Sequence, residues 1–572
     1  CALPAPASSS TTQSCSVLGD GFTGTYTDTK NYTCDTNSLQ WKEFLSSTKD
    51  QCTSTYTKLS SLQNNNGVVE VPTGVTAYID RKIDVQQLKI NGTLKCALPT
   101  KLELLAETIF VNGAFECGTA SKPFTGELLI SLKRNAQIVP KTGRELNGSA
   151  FNDTAKAALA AHTASTVNFR AILVTGNMKL HGIVKNKMTR LTQTAQAGQQ
   201  TIQVESAQTW AVGDEVAIAS TSFNPAESES AKIQSISGTT ITLNRGLSYM
   251  HWGSSPENFS HSSGRTFTLD QRAEVVNLTR NIKIEAYDKL SDGTDANQLN
   301  PDQETSEPGG HVMVHQSGSA QVSSVEFYKM GQAGIMARYP FHWHRIGNTS
   351  GQYIMNSSIH NSFQRCITVH ATNNTTVENN VCYNFRGHGY FLEDGVETGT
   401  VIKNNIGVWA RLPHTSKILL ASDDRSQSTD LRFPATSVFW ISHPQNTVIG
   451  NIAAGSMGTG FWNVFETNSV KLPTTAFNNN TAHSTLVGHT WDGAPNPTEL
   501  SNNPNNYADR KLANAHYSPP TATVFNKIVA YKNSQSGIYF RGGSAIFTEA
   551  LLADNMWSLF LAYNQIFKDT II

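Results

Sequence analysis

The segment Leu88-Lys-Ile-Asn-Gly-Thr-Leu-Lys-Cys96 returns as Ile109-Phe-Val-Asn-Gly-Ala-Phe-Glu-Cys117, 21 residues further along the chain. Short alternating strands broken by Asn-Gly and repeating at this spacing are the mark of stacked β-coils. Successive coils pair at about 4.8 Å. Equivalent positions one coil apart therefore lie within disulfide reach, which predicts a Cys96–Cys117 bridge. A related pattern runs later in the chain, in Thr376-Val-Glu-Asn-Asn-Val381, Thr400-Val-Ile-Lys-Asn-Asn-Ile406 and Thr447-Val-Ile-Gly-Asn-Ile452. Asparagines at matching places on successive coils can stack into amide ladders, so these read as structural. The expected fold is all-β, a right-handed parallel β-helix. At 572 residues the chain exceeds one ordinary core, a limit that a solenoid escapes by repetition.

Other stretches break the coil texture. Trp210-Ala-Val-Gly-Asp-Glu-Val-Ala-Ile-Ala and Ser237-Gly-Thr-Thr-Ile-Thr-Leu read as hairpin strands of a small inserted β-module over 185–250. Residues 290–308 and 496–520 are rich in Asn, Pro and Asp and read as long loops. The pattern runs to Ile572 without an evident polar cap, so the coils are expected to continue.

Lys and Arg number 44, and so do Asp and Glu. The basic excess of a nucleic-acid partner is absent. No apolar run reaches the roughly 18 residues of a membrane span. The opening CALPAPASSSTTQS reads as a tether that buries no core. A leading Cys1 fits a processed secretory leader and a lipid anchor on its sulfur. Sequons at Asn31, Asn91 and Asn147 fit an exported glycoprotein. The eight cysteines form an N-terminal group and a late pair, Cys366 and Cys382, without C-x-x-C. Disulfides in an oxidising compartment are expected.

Seven of the sixteen histidines lie between His311 and His388. Aligned on the strands that follow, His315 precedes Gln321, His370 precedes Thr376 and Asp394 precedes Thr400, each by six residues. His344 joins them if its coil carries an insertion at 347–351. The alignment predicts a column of His315, His344, His370 and Asp394. Burying it bare would cost about 1–3 kcal/mol per unsatisfied group, so an outward-facing groove is expected. Around it lie Arg338, Tyr339 and His342 in RYPFHWH, Arg365 in SFQRCITVH, and His388 and Glu393 in GHGYFLEDG. Arginine suits a uronate carboxylate. Trp343 and Tyr390 suit sugar stacking, and histidine suits proton transfer near neutral pH. The column is also a plausible divalent-metal set. Alternation along a strand would send Glu393 and Asp394 to opposite faces. Asp423 and Asp424, in a later loop, are candidates to reach over the groove as the missing acid.

VVEVPTGVTAYIDRKIDVQQLKINGTLKC and LELLAETIFVNGAFECGTASKPFTGELLISL resemble the G8 domain. GGHVMVHQSG, RYPFHWHRIG, SSIHNSFQRCITVH, GHGYFLEDGVE and FWISHPQNTVIGNIAAGS resemble the parallel β-helix of the cell-surface hyaluronidase and cell-migration-inducing hyaluronan-binding family. The resemblance implies an extracellular setting, hyaluronan binding or depolymerisation, and calcium dependence. One departure is that LHGIVKNKMTRLTQ leads directly into the small module, where the animal hyaluronidases carry an extra domain.

The expected organisation is a tether at 1–60, a G8 domain at 61–184, the small module at 185–250, a connector at 251–309 and β-helix repeats at 310–572. The expected activity is that of a hyaluronidase-like glycosidase on an acidic polysaccharide, secreted or at the cell surface. His342, His344, His370, His388 and Asp394 are the expected catalytic groups. Arg338, Tyr339, Trp343, Arg365, Tyr390 and Glu393 are expected to bind substrate, and His315, His344, His370 and Asp394 to bind a metal. A polysaccharide lyase on the same groove and a non-catalytic glycan-binding adhesin are the alternatives.

Overall fold

The computed structural model describes residues 1, 4–18, 21–35, 40–133, 170–287, 309–414, 417–423, 436–465, 469–492 and 516–572. Among them, three long sheets of 12, 14 and 14 strands run side by side. Each coil gives one strand to each sheet. Gln87–Ile90, Thr93–Lys95 and Lys101–Ala106 pair in parallel with Thr108–Val111, Ala114–Cys117 and Glu127–Lys133 of the next coil. This is the expected right-handed parallel β-helix. Leu88 sits opposite Ile109, and Cys96 is bonded to Cys117.

The asparagine pattern has a geometric reason. At one corner the chain turns through a single left-handed residue: Asn379 (φ 60°), Asn404 (54°), Gly450 (68°) and Asn479 (54°). Glycine and asparagine tolerate this conformation best. The residue that follows then points inward. Asn380 donates to Asn405 at 3.0 Å, Asn405 to Asn451 at 3.1 Å and Asn451 to Asn480 at 3.1 Å. Each of these amides also donates to a backbone carbonyl, so the buried corner is satisfied. Beside the ladder the interior is apolar and aromatic. Tyr390, Phe439, Phe461 and His489 stack rung by rung at 4.7, 4.5 and 4.8 Å.

The expected boundary between G8 domain and coils is not a break. Ala171–Val174 pairs with Thr108–Val111 on one side and with His311–His315 on the other, so both belong to one ladder. The small module is a six-stranded antiparallel sheet from Met188–Arg190 to Glu274–Asn277, with its own core of Leu191, Trp210, Ile218 and Ile241. It therefore runs past the expected end at 250. The chain re-enters the solenoid at Ile282–Tyr287, which pairs with Glu127–Lys133. Ala217 and Val276 of the module pack on Tyr383, Val408 and Ala454 outside the coils.

The opening segment is not a tether. Ser9–Ser14 pairs antiparallel with Thr25–Asp35, every one of its side chains exposed. Such an edge strand is held by backbone hydrogen bonds rather than buried area, which Ser and Thr allow. Cys1–Cys34 and Cys15–Cys52 fasten it. The first bridge occupies the sulfur expected to carry a lipid. Cys366 and Cys382 are free thiols buried in the core. Asn147, Asp424 and the expected loop at 290–308 lie outside the described residues. No helix among the described residues is long and apolar enough to cross a membrane.

Candidate active site

Three strands of one sheet carry the histidines. Phe341–Asn348 lies between His311–His315 and Ile367–Asn373, with His315 opposite His344 and His344 opposite His370. A bulge between His344 and Gly347 takes up one residue of the expected insertion, and the turn between Asn348 and Tyr353 takes up the rest. Phe341, Trp343 and Val369 face the coil interior. His342, His344 and His370 therefore face out.

Outward is not exposed. Tyr339, Leu419 and Leu420 pack with Phe391, Trp440 and Trp462 into a second apolar cluster on the outer face of the same sheet. Beneath it His342 is 0% exposed and His370 6%, while His344 is only partly buried. The open groove expected from desolvation cost is thus replaced by a covered site.

The column ends differently from expectation. Thr376 pairs with Val401, not Thr400. The turn after Glu393, which includes Gly395 and Gly399, is longer than the turn after His370. Leu392 pairs with Val369, and the Glu393 N–H donates to the Val369 carbonyl, so Glu393 continues the column. Asp394 still arrives at the same imidazole. Its Oδ2 lies 2.9 Å from Nε2 of His370, and Oε2 of Glu393 lies 3.5 Å from Nδ1. The strand stops at Leu392. Alternation of side chains stops with it, so two neighbouring carboxylates flank one ring.

Burial disfavours a charged His370, but Glu393, Asp394 and Glu397 outweigh it and raise its pKa to about 9. The opposite holds for its neighbours. Burial, and then His370, lowers His344 to about 2. Burial also drives His342 well below the ordinary range and His315 to about 4. Glu393 is raised by burial. Tyr339 donates to its Oε1 at 3.0 Å. Ring nitrogens of His342, His344 and His370 lie within 4.8 Å of one another. His315 is not in that group, and Asp394 meets the far nitrogen of His370. The group that could hold a metal is therefore His342, His344 and His370, with Glu393 beside them. Calcium takes about six to eight oxygen ligands, and this nitrogen-rich set does not fit it.

Several expected site residues are placed elsewhere. Trp343 and Tyr390 point into the coil, with Tyr390 donating to the carbonyls of Asn380 and Ile406. Neither can stack on a sugar. Arg365 forms a two-pronged ion pair with Asp423, both buried, and lies over Phe391 at 4.4 Å. Neither the guanidinium for a uronate nor the carboxylate for the groove is free. Arg338 is buried against His311. His388 is buried between Ser437 and Ser422 at 2.9 and 3.0 Å and packs on Trp440, with its pKa lowered by burial to about 3. It is a structural residue. Sequence reasoning missed Arg345, which is exposed beside His344, and Glu397, whose carboxylate accepts from the backbone N–H groups of Ala371 and Asp394. Position next to His-x-His was the available signal for Arg345. Glu397 carried none, because its role is set by a turn.

The fold and the site define a parallel β-helix protein with a covered histidine cluster on one outer face. A CEMIP β-helix model matches residues 307–490, and a G8 domain model matches residues 57–192. The chain thus carries a region similar to the G8 domain and a region similar to the CEMIP β-helix. It is 28% identical over 515 residues to Fibrocystin-L of Mus musculus, covering 82% of this chain and 11% of that protein. It is 30% identical over 394 residues to cell surface hyaluronidase CEMIP2 of Homo sapiens, covering 60% of this chain and 27% of that one. The chain thus spans a minor part of these relatives. Among solved structures, a periplasmic alginate epimerase matches over 93% of this chain and 86% of its own, at 10% identity and a TM-score of 0.25.

Proposed function

We propose that the chain is an extracellular depolymerase of an acidic polysaccharide, a hyaluronidase-like glycosidase. The reading rests on the edge of the histidine cluster, where His344 and Asp394 are partly exposed beside the exposed Arg345. Glycosidic cleavage needs a proton delivered at the leaving oxygen. Asp394, whose carboxylate accepts from the protonated His370, is the partly exposed group through which that proton can reach substrate. Arg345 supplies positive charge for a uronate. Glu393 is buried, so the chain does not offer the pair of accessible carboxylates that most glycosidases use. Three disulfides fit an oxidising compartment. The name of the human relative supports the substrate class.

The test is size-exclusion analysis of hyaluronan, chondroitin and alginate after incubation with the full chain, with ultraviolet absorbance followed for unsaturated uronate. Shortening without new absorbance is expected, and Asp394→Asn should slow it by about 100-fold or more. New absorbance would replace the hydrolase reading with a lyase. Polymers of unchanged length that are retained on immobilised protein would leave a glycan-binding adhesin.

A further inference from the structure

Three ring nitrogens and a carboxylate oxygen face one another beneath the cover of the histidine sheet. Nδ1 of His342 donates to the carbonyl of Ala337 at 3.2 Å, which leaves its Nε2 as an acceptor. That Nε2 has no hydrogen-bond partner among the described residues and lies 3.8 Å from Oε2 of Glu393, which has none either. Nε2 of His370 is turned to Asp394, so its Nδ1 faces the same point, 3.1 Å from Nδ1 of His344 and 3.5 Å from Oε2 of Glu393.

Buried acceptors that face one another need a cation between them. A proton on Nδ1 of His370 reaches His344 or Glu393 and leaves Nε2 of His342 unmet. A divalent ion meets the three ring nitrogens together, with Oε2 of Glu393 beside two of them. The far side of three ligands is already fixed, with Ala337 holding His342, Asp394 holding His370, and Tyr339 holding Oε1 of Glu393. Such an outer ring sets the tautomer and orientation of metal ligands.

We propose that His342, His344 and His370, with Glu393 beside them, bind a divalent ion of the zinc class. Imidazole nitrogens with one carboxylate suit a borderline transition metal, whereas calcium takes oxygen ligands. The site also explains why histidines lie under an apolar cover without charged partners on every ring. It stands whether or not the chain cleaves a polysaccharide, so its test reads metal rather than activity.

The full chain, stripped with chelator and confirmed folded by circular dichroism, is titrated with Zn²⁺ and separately with Ca²⁺ by calorimetry. Binding of about one Zn²⁺ per chain is expected, with a raised melting temperature and no response to Ca²⁺ at this site. Loading with Co²⁺ should give the visible bands of a low-coordinate nitrogen-rich centre. His344→Ala, at the partly exposed edge, and Glu393→Gln, nearly isosteric, should both weaken Zn²⁺ binding while keeping the apo fold. Tyr339→Phe should weaken it by about 10- to 100-fold. Absence of Zn²⁺ binding to the folded chain, or binding unchanged in both ligand variants, would overturn the proposal.

Discussion

Glu393 and Asp394 are consecutive in the chain, yet their carboxylates lie on opposite nitrogens of one imidazole, that of His370, at 3.5 and 2.9 Å. A strand would have sent one of them into the coil. The turn that begins after Leu392 lets both serve one ring, so His370 is held from both of its nitrogens.

The buried Arg365–Asp423 pair predicts a strong asymmetry between single and double substitutions. Removing one partner leaves an uncompensated buried charge, at about 3–5 kcal/mol. Arg365→Met and Asp423→Leu should each cost that much, and the double variant should cost less than their sum. Unfolding in denaturant across the four proteins measures the coupling.

Asn451 stands in the middle of the amide ladder and bonds to Asn405 and Asn480. Asn451→Ala orphans groups on both sides, and the expected loss is on the order of 3 kcal/mol. The matching change at Asn379, which supplies only the turn and one bond to Asn356, should cost less when made to Gly. Melting temperatures of the two variants test the ranking.

Acid should destabilise the fold over a defined range. Glu326 is opposed by burial but held at about 2 by His360 and Lys283, and Glu274 is held at about 2 by Arg190 and His483 against the same opposition. Their ordinary value is 4.5. The unfolded chain takes up these protons first, so the stability they give is full above 4.5 and lost as pH falls toward 2. Thermal melts down that range should show the loss, and Glu326→Gln should lower the plateau and flatten the slope.

Cys366 and Cys382 should be silent toward a thiol reagent in the native protein and react once it is unfolded. Burial raises the Cys366 thiol well above its usual range, so little thiolate is present to react. Rapid labelling of either residue in the folded chain would contradict the placement of this pair in the core.

The solenoid was legible because its signals are local. The Asn-Gly repeat, the Asn-Asn turns and the Cys96–Cys117 spacing each report one coil, and each is found where expected. The column was legible as far as His370, because equal six-residue spacings happen to mark equal turns there. It failed at Asp394, where the turn from Glu393 to Val401 is longer. The directions of Trp343 and Tyr390 followed from strand parity once the histidines were known to face out. The cover over them did not, since it comes from segments near 339 and 419 that carry no repeat.

The register of His315, His344 and His370 has an axial meaning. Strands of neighbouring coils are spaced about 4.8 Å apart, so these rings form graduations along the length of the rod. Because His315 and His370 are buried and only His344 is partly exposed, a long ligand laid parallel to the axis would meet these rings at one mark alone. The Glu393–Asp394 turn breaks that translational sameness at one end, and so gives an otherwise uniform scale its zero.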